Sequence, residues 1–256
     1  MKNIFFICFI VFITPAFCQE KITIKFAINE DSIPLSYSIN KKPKGILVDI
    51  INEFSKLNKE KYKIFLEPFP WPRVIYMVKK GEFDAFISLK SKERDEYVDY
   101  SSYLVLKENL YFYYSKENKK LTNLNTYNSI NDFKNFLFLD YFGDSLNKYH
   151  SEENGFKNEF STNKKYILFK LNKNRGDLFL STKRSPQFLI KKYKLKNIVW
   201  KKVDFIKGDF NYYLCLRKNI ANKKSILTDF DNFIKAPETI QKINKITERY
   251  IKNIDE

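Results

Sequence analysis

Four polar loops, each directly after a predicted strand, contain the side chains of this sequence that could bind a small molecule. They cover residues 29–32, 69–71, 88–94 and 181–185. Because ligands of open α/β sheets bind outside the carboxyl ends of the strands, these loops are the candidate site. They hold carboxylates, hydroxyl groups, an indole and guanidinium groups, which recognise polar solutes through hydrogen bonds and ion pairs.

Sequence motifs of the common enzyme classes are missing. The chain contains no GxGxxG, GxxxxGK, GxSxG or CxxC pattern. Its one histidine, His150, cannot form a histidine-rich metal site by itself. Cys215 lies in an apolar run and is interpreted as a small buried side chain. The sequence therefore favours a binding protein without a cofactor over an enzyme.

The predicted elements that carry the first three loops start with a strand in which apolar and polar residues alternate. Its apolar residues are Ile22, Ile24, Phe26 and Ile28. A helical spacing of apolar residues follows Asp49, which we interpret as the N-cap, and residues 64–66 form a second short strand.

A short helix with clear end signals comes next. Pro72 suits the first helical position and Gly81 the C′ position, which predicts a helix of about nine residues. Residues 83–89 then return as a strand. The alternation of strand and helix predicts a parallel sheet with helices on its faces.

The rest of the chain predicts a second α/β lobe. An apolar and aromatic run at residues 104–114 could cross from one lobe to the other, and residues 212–216 lead the chain back. Two amphipathic helices finish the sequence. We expect one lobe to contain residues 19–107 and 207–256, and the other to contain residues 108–206.

The first residues are typical of a secretory signal. Lys2 supplies the positive start, residues 4–13 are apolar, and the small residues before the cleavage point predict a signal peptide over 1–18. This run is too short to span a bilayer. A lipid anchor on Cys18 is the competing interpretation, although the bulky Phe17 disfavours it.

The chain is strongly basic, with a formal net charge of +16. Such a charge can indicate nucleic acid or an anionic membrane as a partner. Here the lysines are spread along the whole chain, and basic stretches such as residues 191–196 are typical of solvated faces. We therefore expect no nucleic-acid partner.

Several short motifs, taken in order, resemble the family 3 extracellular solute-binding proteins, the receptors of polar amino acid ABC importers. The similarity extends over essentially the whole chain after the signal segment. The motifs are Tyr37, Gly45-Ile46-Leu47-Val48-Asp49, Pro70-Trp71-Pro72-Arg73, Gly81-Glu82-Phe83-Asp84, Ser91-Lys92-Glu93-Arg94, Tyr100-Ser101 and Asn174-Arg175-Gly176-Asp177.

The resemblance implies a ligand site in the first lobe. Arg94 matches the arginine that binds the ligand carboxylate, and a guanidinium suits this task because it pairs bidentately and stays charged. Ser91 matches a hydroxyl that binds the same carboxylate, and Trp71 matches an aromatic wall. Glu30 and Asp31 lie where first-lobe polar contacts are usual. A surface charge at Arg94 and a core role for Trp71 are the alternatives.

The second lobe departs from the family pattern. Amino-acid binders carry an acidic residue about five positions after the turn aspartate, and counting from Asp177 gives Thr182, with Ser181 beside it. A hydroxyl cannot neutralise an ammonium group. Either a first-lobe carboxylate supplies that charge, or the ligand is not a standard α-amino acid. Lys183 and Arg184 could instead favour an anionic solute such as a dicarboxylate.

Together these observations predict a type II periplasmic-binding-protein fold, two open α/β lobes joined by a two-segment hinge. We expect a monomeric periplasmic protein that captures a small polar, carboxylate-bearing solute for the membrane subunits of an ABC importer. Two other functions remain open at this point. One is an enzyme on the same scaffold that acts on a small acid, and the other is a sensor or a surface protein that binds anionic polymers.

Overall fold

Two α/β lobes make up the computed structural model, which describes residues 20–144 and 155–252. The predicted signal peptide, its Cys18 and the only histidine, His150, lie outside the described residues.

The β-strands are β1 Ile22–Asn29, β2 Asp31–Ser32, β3 Ser36–Ile39, β4 Lys42–Lys44, β5 Tyr62–Phe69, β6 Ala85–Leu89, β7 Val98–Tyr100, β8 Leu110–Ser115, β9 Leu137–Tyr141, β10 Lys157–Ser161, β11 Phe179–Thr182, β12 Ile198–Lys202 and β13 Tyr212–Arg217. The α-helices are α1 Ile46–Leu57, α2 Trp71–Lys79, α3 Lys92–Asp95, α4 Lys164–Asn172, α5 Arg184–Lys192, α6 Lys223–Lys235 and α7 Pro237–Lys252. Short 3-10 turns follow β8 at Lys119–Leu121, Leu124–Thr126 and Ile130–Phe133.

The first lobe is built on a sheet with the strand order β5-β1-β6-β13-β7. Strands β5, β1 and β6 are parallel, and β13 runs antiparallel to both of its neighbours. The expected parallel sheet is therefore confirmed for the first three strands. The returning strand β13 completes the sheet from the far end of the chain.

Helices cover both faces of this sheet because the alternating side chains of β1 are apolar on each face near its end. Phe26 packs in the same core as Phe54 of α1, whose ring is 5.2 Å from that of Phe230 of α6. Ala27 packs in the opposite core with Val74 of α2. The carboxyl end of β1 is consequently fixed from both sides.

The start of helix α1 differs from the sequence prediction. The N-cap is Gly45, at φ 120°, and not Asp49. A Cβ atom at this position would lie 2.6 Å from the carbonyl oxygen of Leu35, so only glycine fits. Asp49 lies inside the first turn, where it accepts hydrogen bonds from Arg249 Nη2 at 2.5 Å and Tyr250 Oη at 3.0 Å. It therefore joins α1 to α7.

The end signals of α2 are confirmed with one small change. The helix covers nine residues, Trp71–Lys79, so that Pro72 occupies its second position and not its first. Gly81 follows the C-cap residue with φ 81°, as a C′ glycine should. The helix thus begins directly at Trp71, which places the indole at the carboxyl end of the sheet.

The strands of the second lobe form two small groups. Strand β8 pairs antiparallel with β11 and β12, and β9 pairs parallel with β10. A parallel bridge between Phe138 and Leu178 links the two groups. Helices α4 and α5 pack beside them, so this lobe repeats the α/β arrangement that the sequence predicted.

Two turn aspartates occupy matching places in the two lobes. Asp84 Oδ2 accepts a 2.9 Å hydrogen bond from the backbone N–H of Lys25, in β1. Asp177 Oδ2 accepts a 2.8 Å bond from the backbone N–H of Leu137, the first residue of β9. Each aspartate ties a turn to the neighbouring parallel strand. The predicted correspondence between the two turn sequences is therefore visible in the contacts.

The two segments that cross between the lobes run side by side. Tyr212 donates its N–H to the carbonyl oxygen of Leu106 at 2.9 Å, and Val203 donates to Leu110 at 2.9 Å. The division at 107/108 and 206/207 stays a prediction. Within residues 20–144 and 155–252, no helix is both long enough and apolar enough to span a membrane.

Candidate ligand-binding cleft

A cavity lies where loops of the two lobes meet, and it encloses about 450 Å³ including the space open to solvent. Strand ends of the first lobe supply most of its polar wall. Loops 29–32, 69–71 and 88–94 contribute, as the strand-end rule predicts, whereas loop 181–185 does not. The polar and aromatic lining residues are Asn29, Ser32, Ser36, Trp71, Ser88, Arg94, Tyr141, Asp144, Lys164 and Tyr212.

Arg94 is held rigidly at the wall of this cavity. It lies in the short helix α3, whose N-cap Ser91 accepts a hydrogen bond from the Arg94 backbone N–H at 3.3 Å. The guanidinium donates to the carbonyl oxygen of Leu89 at 2.6 Å, and its Cζ atom lies 5.1 Å from the Trp71 ring centroid. The side chain is buried, with 3% of its residue surface exposed. It is therefore not a surface charge.

Trp71 contacts both lobes. Its indole packs edge-on against Phe86, with ring centroids 5.8 Å apart. Its Nε1 donates a 2.8 Å hydrogen bond to the carbonyl oxygen of Gly143, in the loop after β9. Gly143 has φ 78°, and a Cβ atom there would lie 3.4 Å from Trp71 Cδ1. That distance is an ordinary contact, so it is the positive φ that favours glycine at this position.

The second lobe contributes Tyr141, Asp144 and Lys164. Lys164 is the first residue of α4, and its Nζ lies 5.1 Å from the Tyr141 ring centroid. Burial raises the pKa of Tyr141, and the carboxylates of Asp31 and Asp144 raise it further. Tyr141 therefore stays protonated at neutral pH, so its hydroxyl can donate a hydrogen bond.

Asp31 and Glu30 lie beside the cavity and do not line it. Burial raises the pKa of Asp31 to about 6, although Lys164 and Lys165 across the cleft partly oppose that shift. The backbone of Glu30 bonds to Phe69, with its N–H donating to the Phe69 carbonyl oxygen at 3.0 Å. Both carboxylates interact electrostatically with Tyr141 of the second lobe, and Asp31 does so more strongly than Glu30.

Ser91, Ser181 and Thr182 also do not line the cavity. The Ser91 hydroxyl oxygen caps α3, and the two other residues are buried in β11 with 1% and 2% exposure. The side chain of Thr182 is hydrogen-bonded to that of Tyr212, which does line the cavity. Of the seven predicted site residues, the structure brings Arg94 and Trp71 to the cavity wall.

The two basic residues after β11, Lys183 and Arg184, bind a segment that crosses between the lobes. Arg184 forms an ion pair with Glu108 and donates to the carbonyl oxygen of Lys107 at 2.8 Å. The backbone N–H of Lys183 donates to the same Glu108 carboxylate at 3.2 Å. Arg184 is therefore bound to the protein itself, and neither residue lines the cavity.

Sequence reasoning missed Ser36, Tyr141, Asp144, Lys164 and Tyr212. Tyr141 and Asp144 come shortly after the apolar residues 136–139, a pattern typical of a strand, so the strand-end rule could have found them. Lys164 begins a helix, and no signal in the sequence marks it as part of a cleft. Cys215 is fully buried in β13, where burial raises the pKa of its thiol to about 12, so it is not a nucleophile. Among residues 20–144 and 155–252, no group of three His, Cys, Asp or Glu residues could hold a metal ion.

Comparison with known families decides the class of protein. The model of the bacterial extracellular solute-binding proteins, family 3, matches residues 24–253. The chain belongs to this family. No curated protein matches it by sequence.

Solved structures with the same fold include an amino acid ABC transporter substrate-binding protein, AbpA. One comes from work on glutathione import through GshT and the cystine ABC importer TcyBC of Streptococcus mutans, with TM-score 0.74, 17% identity and coverage of 91% of this chain and 96% of that one. AbpA of Streptococcus pneumoniae, bound to L-arginine, has TM-score 0.73 and 16% identity, with 91% and 96% coverage.

A histidine kinase sensor domain similar to periplasmic binding proteins has TM-score 0.73 and 15% identity, with 90% of this chain and 96% of that chain covered. At such identities, likeness shows the fold alone. The type II periplasmic-binding-protein fold is thereby confirmed, and the family is one of solute-binding proteins.

Proposed function

We propose that this family 3 solute-binding protein captures a small polar solute bearing a carboxylate and delivers it to an ABC importer. The buried guanidinium of Arg94 at the cavity wall carries the proposal. A guanidinium binds a carboxylate bidentately, and such a pair is stronger where water is excluded. The neighbouring Ser88 and Ser36 would add hydrogen bonds.

Binding would be coupled to closure of the lobes. A solute that contacts Arg94 on one lobe and Tyr141 on the other favours the closed form over the open one. The Trp71–Gly143 hydrogen bond is a contact of that closed form. The membrane subunits of the importer would bind the closed surface. The protein acts as a monomer, without a cofactor or a nucleic-acid partner.

The site of action is the periplasm, which is reached through a signal peptide over residues 1–18. A lipid anchor at Cys18 would keep the protein on the membrane instead. Intact-mass measurement of the exported protein distinguishes these outcomes, because cleavage after Cys18 and lipidation of Cys18 give different masses.

A thermal-shift screen of amino acids and small carboxylic acids tests the binding function. A solute at 100 times its Kd stabilises the protein by about 2.7 kcal/mol, which raises the melting temperature by several degrees. We expect a carboxylate-bearing solute to do this for the wild type and for Arg73→Gln, a control at an exposed arginine of α2. Arg94→Gln should abolish the shift. A panel without any stabilising carboxylate would contradict the proposal.

A sensor role is the second candidate, because a histidine kinase sensor domain and the BvgS VFT2 domain share the fold. Uptake of the radiolabelled solute by cells with and without the gene separates the two roles. Import requires that uptake falls on deletion and returns on complementation. Unchanged uptake would favour the sensor. Conversion of the bound solute, followed by NMR, would instead reveal an enzyme.

A further inference from the structure

Lys164 is a buried cation in the cavity for which the protein provides no close anionic partner. It lines the cavity and has 6% of its surface exposed. Among the residues that the structure describes, no carboxylate oxygen lies within 4.0 Å of its Nζ. A buried ammonium group is costly unless an anion pairs with it.

The contacts that Lys164 does make leave this cost largely uncompensated. The Tyr141 ring lies 5.1 Å from its Nζ, and a cation–π contact is weaker than a desolvated ion pair. Asp31 attracts it from across the cleft, but the two side chains do not come within the 4.0 Å of an ion pair. The protein therefore supplies a partial partner and not a complete one.

The position of Lys164 in its helix points to the same need. The nine-residue helix α4 begins with Lys164 and Lys165 and has no acidic residue in its first turn. The amino end of a helix carries partial positive charge, which disfavours lysine and favours an anion. Two lysines there make this end of α4 a region of strong positive potential at the cavity.

The charged groups of the cavity wall define what complements them. They are two cations, Arg94 and Lys164, and one carboxylate, Asp144. A solute with a single carboxylate would satisfy Arg94 and leave Lys164 with only the partial partners Asp31 and the Tyr141 ring. A cationic side chain on the solute would be repelled by both. Two anionic groups on one small molecule satisfy both cations.

We propose that the solute is a small dicarboxylate, with or without an amino group, whose second carboxylate pairs with Lys164 while the first binds Arg94. This proposal rests on the proposed function, since it specifies the solute of the same cleft. It assigns Lys164 as the residue that selects acids over their uncharged amides.

Isothermal titration calorimetry with acid and amide pairs of equal size tests the proposal. The pairs are L-glutamate and L-glutamine, L-aspartate and L-asparagine, and succinate and succinamate. We expect the wild type to bind at least one acid about tenfold or more tightly than its amide, as a desolvated charge pair requires. Lys164→Met should remove this preference by weakening the acid while leaving the amide within about twofold.

Lys165→Met is the matched control, because it makes the same change at the next residue of α4, outside the cavity wall. It should keep the preference for the acid. Lys164→Gln gives a second, polar replacement if the methionine variant folds poorly. The wild-type comparison needs no variant.

Three outcomes would overturn the proposal. An amide that binds as well as its acid, or a preference that survives in both Lys164 variants, contradicts the selective role but leaves the carboxylate function intact. Failure of every carboxylate solute to bind the wild type removes both proposals together.

Discussion

The indole Nε1 of Trp71 donates a 2.8 Å hydrogen bond to the carbonyl oxygen of Gly143, and this bond joins loops of the two lobes at the cleft. The same indole lies 5.1 Å from the Arg94 guanidinium. The residue that packs against the candidate carboxylate binder is thus also the residue that contacts the second lobe. Ligand binding and closure therefore share a structural element.

Gly143→Ala should weaken ligand binding by about tenfold. The substitution strains a backbone at φ 78°, at the residue whose carbonyl oxygen accepts the Trp71 hydrogen bond, which opposes closure. Gly155→Ala is the matched control, because Gly155 has φ 69° but a Cβ atom added there would have no other atom within 4 Å. Calorimetry of both variants checks the prediction. Equal losses of affinity in the two variants would show that the Trp71–Gly143 hydrogen bond does not determine the effect.

Arg94→Ala should destabilise the unliganded protein by about 1–3 kcal/mol, since it removes the donor to the Leu89 carbonyl oxygen. The cost arises because Arg94 is buried, with 3% of its residue surface exposed. Urea unfolding of the unliganded wild type and variant measures the difference. An unchanged free energy of unfolding would contradict a structural role.

Asp31→Asn should stabilise the protein more at pH 7.5 than at pH 4. Burial raises the pKa of Asp31 from 3.8 to about 6, so the folded state binds this proton more tightly than the unfolded state does. Stability from Asp31 is consequently lost as the pH rises from about 4 through 6. The asparagine variant does not lose stability in this pH range, because its side chain does not ionise. Melting temperatures of wild type and variant at the two pH values test it, and a constant difference would argue against the shifted pKa.

Arg184→Gln should destabilise the protein by about 3–5 kcal/mol, because it leaves the buried Glu108 carboxylate without its partner. The double variant Glu108→Gln/Arg184→Gln should recover part of the loss. A double-mutant cycle from urea unfolding measures the coupling between them. If the effects of the two substitutions were additive, the coupling energy between Arg184 and Glu108 would be zero and the ion pair would not stabilise the crossing segment.

The elements of the first sheet were predictable because their signals are local. Alternating apolar residues marked β1, and Pro72 with Gly81 delimited α2 to its nine residues. The N-cap of α1 was predicted wrongly. Asp49 has a capping side chain, but its partners, Arg249 and Tyr250, lie about 200 residues away and are not visible in a local pattern.

Only the part of the site that lies in the first lobe was predictable from the sequence. Arg94 and Trp71 follow strands of the first lobe, so a rule about strand ends could locate them. Lys164 reaches the cavity only because α4 of the second lobe packs against the opposite wall, which depends on the tertiary fold. Thr182 occupied the expected position along the chain, yet β11 buries it behind Tyr212. Counting residues from a turn cannot show which strand face meets the cleft.

Calorimetric titration of the wild type and Arg94→Gln with the best carboxylate solute tests the central claim most directly. We predict saturable binding of one solute per protein in the wild type, a loss of about 100-fold or more in Arg94→Gln, and unchanged affinity in Arg73→Gln. Equal affinity of the wild type and Arg94→Gln for that solute would contradict the claim that this cleft binds its ligand through Arg94.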